Sequence, residues 1–150
     1  MKNSALHPNI AVSDARAAIT FYEKALGAET LDVITAADAT IHSDLVLRSA
    51  AGESTFTVAA AFPPDSAAPE PGGPTHVSFT IPVEDTDAAY ARAIAAGASS
   101  LTEPGDWFEG FRQAAVRCPF GHRWYFVTVA ESVTSDDVQR ASDAWAEQRD

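Results

Sequence analysis

One arrangement of residues occurs twice in this chain, and it restricts the fold more than any single motif. An alternating apolar stretch leads into a capping side chain, an amphipathic helical run and a glycine. In residues 6–12, Ile10 and Val12 point one way while His7, Asn9 and Ala11 point the other, as in a half-buried strand. Ser13 or Asp14 can cap the helix that follows. Ala17, Ile19, Phe21, Tyr22 and Leu26 form its apolar stripe, and Gly27 stands where helices end. Residues 75–83 repeat the alternation, with Val77, Phe79 and Ile81 on one face and His76, Ser78 and Thr80 on the other. Asp85 or Thr86 can cap a second helix running to about Ala96 and closed by Gly97. The endings Ala25-Leu26-Gly27-Ala28 and Ala95-Ala96-Gly97-Ala98 match.

Each copy continues with strands. The first offers residues 29–36, 40–49 and 54–61. The second offers 98–102, a loop at 103–110, then a hairpin from 111–117 through the Pro119/Gly121 turn into the aromatic and β-branched run that follows His122. Residues 62–74, rich in Pro, Gly, Ala and Ser, read as a linker. A supersecondary unit repeated at this length is a fold-level signal. The chain therefore predicts an α+β fold: two β-α-β-β-β modules, about 5–61 and 75–130, in one domain spanning 1–133. A C-terminal helix over 134–150 follows, with Val138, Ala141, Ala144 and Trp145 at helical spacing. One helix covers one face of each mixed sheet, so the uncovered faces of the paired sheets form a cleft.

Charge and composition narrow the partners. The formal net charge of -11 repels phosphate backbones, so nucleic acid is not expected as a partner. No apolar run is long enough to span a bilayer, and Met1-Lys2-Asn3-Ser4 lacks the apolar stretch of a signal peptide. The single cysteine, Cys118, excludes an internal disulfide and reads as a buried small residue. These features together predict a cytoplasmic protein with no membrane partner.

With that arrangement in place, the chain resembles the vicinal oxygen chelate superfamily of glyoxalases, bleomycin-resistance proteins and extradiol dioxygenases, and within it the PhnB-like branch. The resemblance runs over residues 5 to 130. It is carried by His7-Pro8-Asn9-Ile10-Ala11-Val12-Ser13-Asp14, Ala18-Ile19-Thr20-Phe21-Tyr22, Leu26-Gly27-Ala28-Glu29, Ile81-Pro82-Val83-Glu84-Asp85-Thr86-Asp87, Gly110-Phe111-Arg112 and Pro119-Phe120-Gly121-His122-Arg123-Trp124. It implies the paired-module fold and a homodimer. Metal enzymes of that superfamily take their ligands from the first and last strands of each module. His7 matches such a position, but Ser78 and Tyr125 stand where histidine or glutamate would be, and residues 55–60 contain no carboxylate or histidine. Cys118 and Glu109 also depart from the usual aspartate and aromatic residue. Neutral hydroxyls do not replace an ion's hydration shell as carboxylates do, so no metal, cofactor or catalytic residue is expected.

The expected function is binding or sequestration of a small molecule in the cleft, with His7, Asn9, His42, Asp44, Ser78, Trp107, Phe108, Phe111, Arg112 and Tyr125 as the contacts. His42 and Asp44, two apart on one strand, read either as an acid–base pair or as a buried polar pair or dimer contact. Trp107, Phe108 and Phe111 read either as a stacking surface for a flat or cationic ligand or as a plug for the open end of the sheet. His122 reads as a structural hydrogen-bond partner. The alternative function is a divalent-metal-dependent glyoxalase-like lyase, isomerase or dioxygenase, using His7, His76 and His42 with Asp44 or Glu53.

Overall fold

The computed structural model describes residues 6–149, so the start of the first module at residue 5 lies outside the described residues. The first unit runs β1 (Asn9–Val12), α1 (Ala15–Leu26), β2 (Glu29–Thr30), β3 (Ile34–Ala36), β4 (Ala39–His42), β5 (Asp44–Ser49) and β6 (Gly52–Ala60). The second runs β7 (Ser78–Pro82), α2 (Thr86–Ala95), β8 (Ser99–Phe108), β9 (Phe111–Arg117) and β10 (Arg123–Val129), followed by α3 (Ser135–Glu147). Two four-stranded mixed sheets result, ordered β1-β6-β5-β2 and β7-β10-β9-β8, with equivalent strands at equivalent places. The first strand of each unit pairs parallel with the last, β1 with β6 and β7 with β10.

Local chemistry sets the helix ends. The Asp14 carboxylate accepts from the Ala17 amide at 2.9 Å, and Asp85 accepts from Ala88 at 2.9 Å. Each satisfies an amide that a helix start leaves unpaired. Gly27 takes the left-handed conformation at φ 66°, which ends α1 without a Cβ penalty. Ala17 itself is exposed; Ala15, Ala18, Ile19, Phe21, Tyr22 and Ala25 form the buried side.

Both helices sit on the same side of the sheet pair. Arg92 Nε of α2 donates to the Lys24 carbonyl at 2.7 Å, near the end of α1. Beneath them one aromatic cluster spans the two units. Trp124 of β10 meets Tyr22 of α1 at 5.3 Å between ring centroids, Phe56 of β6 at 5.8 Å and Phe79 of β7 at 4.7 Å. Each buried side chain of this size contributes about 1.5–3 kcal/mol. The units also meet through the Ala50 amide, which donates to the Pro82 carbonyl at 3.0 Å, and through His122 Nε2, 2.9 Å from the Ala11 carbonyl.

Four expectations need correction. The strand expected at 29–36 is broken, and residues 34–42 form a separate β3–β4 hairpin whose residues are mostly exposed. The strand expected at 40–49 is interrupted at Ser43, whose hydroxyl turns aside to the Asp32 carbonyl at 2.9 Å. The loop expected at 103–110 is strand through Phe108, because β9 pairs with it along its length despite register shifts. Val77 is exposed and precedes β7 instead of sharing a buried face with Phe79.

Candidate functional site

In each sheet the strands alternate between the aromatic core and an opposite, polar face. On the first sheet Ile10, Val12, Leu45, Phe56 and Val58 are buried toward the core. The register places Asp44 beside Thr57, and Val46 beside Thr55, on the other face. His7, just ahead of β1, lies across this face.

Asp44 organises the group. Its side chain is 2% exposed, and one oxygen, Oδ1, receives the Thr57 hydroxyl at 2.8 Å, with His42 Nε2 at 3.0 Å and His7 Nε2 at 3.3 Å. His7 is held from both ends, its Nδ1 2.9 Å from Thr55 Oγ1 and its Nε2 2.8 Å from Thr57 Oγ1. Burial pushes the Asp44 carboxyl up, but the Thr57 hydrogen bond and the His42 and His7 imidazoles outweigh it, leaving the group below the usual carboxylate range. The charged form is thus kept in a place where an unpaired charge would be costly.

Asp32 completes the cluster. Its Oδ1 accepts the Asp44 amide at 3.0 Å, and the Leu31 amide donates to the Asp44 carbonyl at 2.8 Å. One ligand atom each from Asp32, His42 and Asp44 lies within 4.8 Å of the other two. Sequence reasoning missed Asp32, Thr55 and Thr57. Asp32 falls in the broken strand, and the two threonines are recognisable only once the β5–β6 register is known.

Asn9 is exposed and folds back on the His7 carbonyl at 3.3 Å. On the second sheet Ser78 and Tyr125 alternate away from Phe79, Trp124 and Phe126, and so share its polar face. The Tyr125 hydroxyl is 2.9 Å from Arg123 Nη2. Among the described residues no hydrogen bond joins Ser78 or Tyr125 to the His7 group. Phe111 also alternates onto the face of Tyr125. It packs with Trp107 at 5.4 Å and Phe108 at 5.5 Å between centroids, at the β8 edge. Trp107 lines a space of about 440 Å³ with Gln113, Ser142, Trp145 and Ala146, so this edge opens toward α3.

Arg112 is not on the polar face. Its register partner Thr128 lies on the helix-covered side, and its guanidinium is bound by Asp87 of α2 and by Asp106 at 3.0 Å. Those hydrogen bonds, Asp87 first, raise its pKa further. His76 stands apart as well, in a cavity of about 440 Å³ shared with Pro69, Glu70 and His122. His122 bonds the Ala11 carbonyl, and burial lowers its pKa. Cys118 is buried against Tyr22.

The residues at the metal positions implied by the resemblance do not fit an ion. Both His7 nitrogens are taken up by threonine hydroxyls, and Ser78 and Tyr125 offer neutral oxygens, one of them bonded to an arginine.

Residues 4–126 match the family described as Glyoxalase/Bleomycin resistance protein/Dioxygenase superfamily. An uncharacterized protein of Mycobacterium bovis, Mb0911c, is 34% identical over 138 residues, 91% of each chain. TioX from Micromonospora sp. ML1 has a similar structure, with 27% identity and a TM-score of 0.64 over 87% of this chain and 100% of that one. Glyoxalase I from Zea mays shares the fold, at 18% identity and a TM-score of 0.63, over 84% of this chain and 44% of that one.

Proposed function

Because the chain belongs to the glyoxalase/bleomycin resistance protein/dioxygenase superfamily, we propose that it binds a small molecule on the polar face of its sheets. The observation that carries this reading is the nearly buried Asp44 carboxylate, held ionised beneath two imidazoles on the polar face of the first sheet. A few convergent polar groups are what fix the orientation of a small ligand. His7 and His42 contact it in this reading, and Asp44 fixes both rings. Asn9, Ser78 and Tyr125 add hydrogen bonds, while Trp107, Phe108 and Phe111 close the β8 edge. Arg112, tied to Asp87 and Asp106, is left out.

A lyase, isomerase or dioxygenase acting through an ion at the superfamily's strand positions is disfavoured, since the donors there are spent or neutral. The order of motifs around Gly27 and Arg112 supports the PhnB-like branch. The same reading has the chain acting in the cytoplasm as a homodimer, with the 53% exposed Trp145 of α3 as an available contact. Light scattering that finds only monomer at micromolar concentration counts against the dimer.

The test of binding is a thermal-shift panel of small molecules, followed by calorimetry on any hit. A hit should bind the His42→Phe variant at least about tenfold more weakly. Equal affinity for wild type and His42→Phe would place the ligand elsewhere.

A further inference from the structure

We propose that Asp32, His42 and Asp44 form a binding site for one divalent transition-metal ion, beside the superfamily's first-strand position, with His7, 3.3 Å from Asp44 Oδ1, outside the ligand set. The site goes beyond small-molecule binding and does not depend on it. Its three residues come from three successive elements: the loop after β2, the end of the β3–β4 hairpin, and the start of β5. The break at Ser43 brings them together. It ends the hairpin at His42 and starts β5 at Asp44, while the Ser43 hydroxyl ties the chain to Asp32.

The spacing suits an ion. Donors about 2.0–2.2 Å from a tetrahedral ion stand roughly 3.3 Å apart. His42 Nε2 and Asp44 Oδ1 are 3.0 Å apart, and an Asp32 ligand atom is within 4.8 Å of each. Asp32 is exposed, with one oxygen oriented by the Asp44 amide, so a small rotation of its side chain closes the gap. Asp44 is nearly buried and its ring partners hold it, which fixes the other side.

The donor set selects the class of ion. One imidazole and two carboxylates suit zinc, nickel, cobalt or manganese better than calcium, which prefers six or more oxygens. Two carboxylates neutralise the ion's charge, which the neutral hydroxyls at the superfamily's positions cannot do. The exposed Asp32 side leaves a coordination position open to water or to an oxygen-bearing ligand. Second-sphere partners are already in place for Asp44, in Thr57 and His7.

The experiment titrates untagged, chelator-treated full-length protein with Co²⁺ alone, read by calorimetry and by visible absorption, with folding of each variant checked by circular dichroism. The expected result is one Co²⁺ per chain, with the intense visible bands of a four-coordinate ion. Asp32→Asn and His42→Gln should each weaken binding by at least about tenfold, and His76→Gln should leave it unchanged. Because Asp32 is exposed, Asp32→Asn tests the site without threatening the core. No saturable binding, or binding unaffected by both Asp32→Asn and His42→Gln, would overturn the proposal. So would loss of binding in His7→Gln while Asp32→Asn binds normally, since the ion would then lie at the superfamily's position.

Discussion

The phenol of Tyr22 lies 3.4 Å from the Cys118 thiol, joining the first helix to the last hairpin across 96 residues of sequence. Tyr22 is fully buried, and its ring also packs edge-on against Phe56 and Trp124. Burial, with a further contribution from Cys118, pushes the phenol well above its ordinary pKa, so it stays protonated and able to donate. Tyr22→Phe should cost about 1 kcal/mol, the net worth of one hydrogen bond. Tyr22→Ala should cost about 3–5 kcal/mol through the cavity it leaves. Urea unfolding of the two variants separates the terms; equal costs would mean that the ring packing contributes little.

Gly121 should not tolerate a side chain. Its φ is 92°, and an added Cβ would stand 2.7 Å from Pro69 Cβ. Gly121→Ala should lose about 1–3 kcal/mol from backbone strain alone, and more from the clash with the linker. A melting temperature within error of wild type would show that the linker yields freely.

Acid should weaken the seam between the units through His122. Burial lowers its pKa, so the folded state binds its proton less readily than the unfolded state does. Its contribution is fully present above the unfolded value of about 6.5. It declines as pH falls from there toward the lower folded value. His122→Gln should therefore be less stable near neutrality yet lose less stability between neutral and mildly acidic pH. Parallel slopes of stability against pH for the two proteins would contradict this.

Asp44→Asn should keep the fold but lose about 1–3 kcal/mol, because an amide answers Thr57 and two imidazoles less well than a carboxylate. Asp44→Leu should be worse, since it strands those donors. Chemical denaturation gives the order, and a more stable Asp44→Leu would show that the polar cluster is a net cost to folding.

Thr134→Ala should loosen α3 without unfolding the domain. Thr134 and Asp137 form a reciprocal cap at its start, and none of the helix's residues is buried. The cap is worth about 1 kcal/mol. Amide exchange should accelerate in the first turn of α3 while β10 amides stay protected. Acceleration in both would mean that the helix supports the sheet.

What could be read from the sequence was local. Asp14, Gly27 and Asp85 act within one helical turn, so their roles were visible in the residues beside them. The alternation at Phe79 and Ile81 likewise gave the core face of β7. The failures are non-local. Arg112 is expected among the cleft contacts beside Phe111, but adjacent residues of β9 face opposite ways, and the pairing with β10 puts Arg112 on the helix-covered side. Asp32 joins its site through an amide 12 residues away, and no periodicity marks such a contact. Trp107 reads from sequence either as a stacking surface or as a plug for the open end of the sheet, and the space it shares with Trp145 depends on where α3 docks.

The bond from Arg92 to the Lys24 carbonyl bears on how this chain is assembled. The end of a helix presents carbonyls with no partner of their own, and here the first unit's helix receives a guanidinium from the second unit. Tyr22 similarly takes one of its three ring contacts, Trp124, from the second unit. The two units therefore behave as halves of a heterodimer joined by residues 62–74, and that tether sets the concentration at which each half meets the other. Lengthening it with glycine and serine should tax stability only logarithmically. Cutting it should make folding depend on the amount of both halves present.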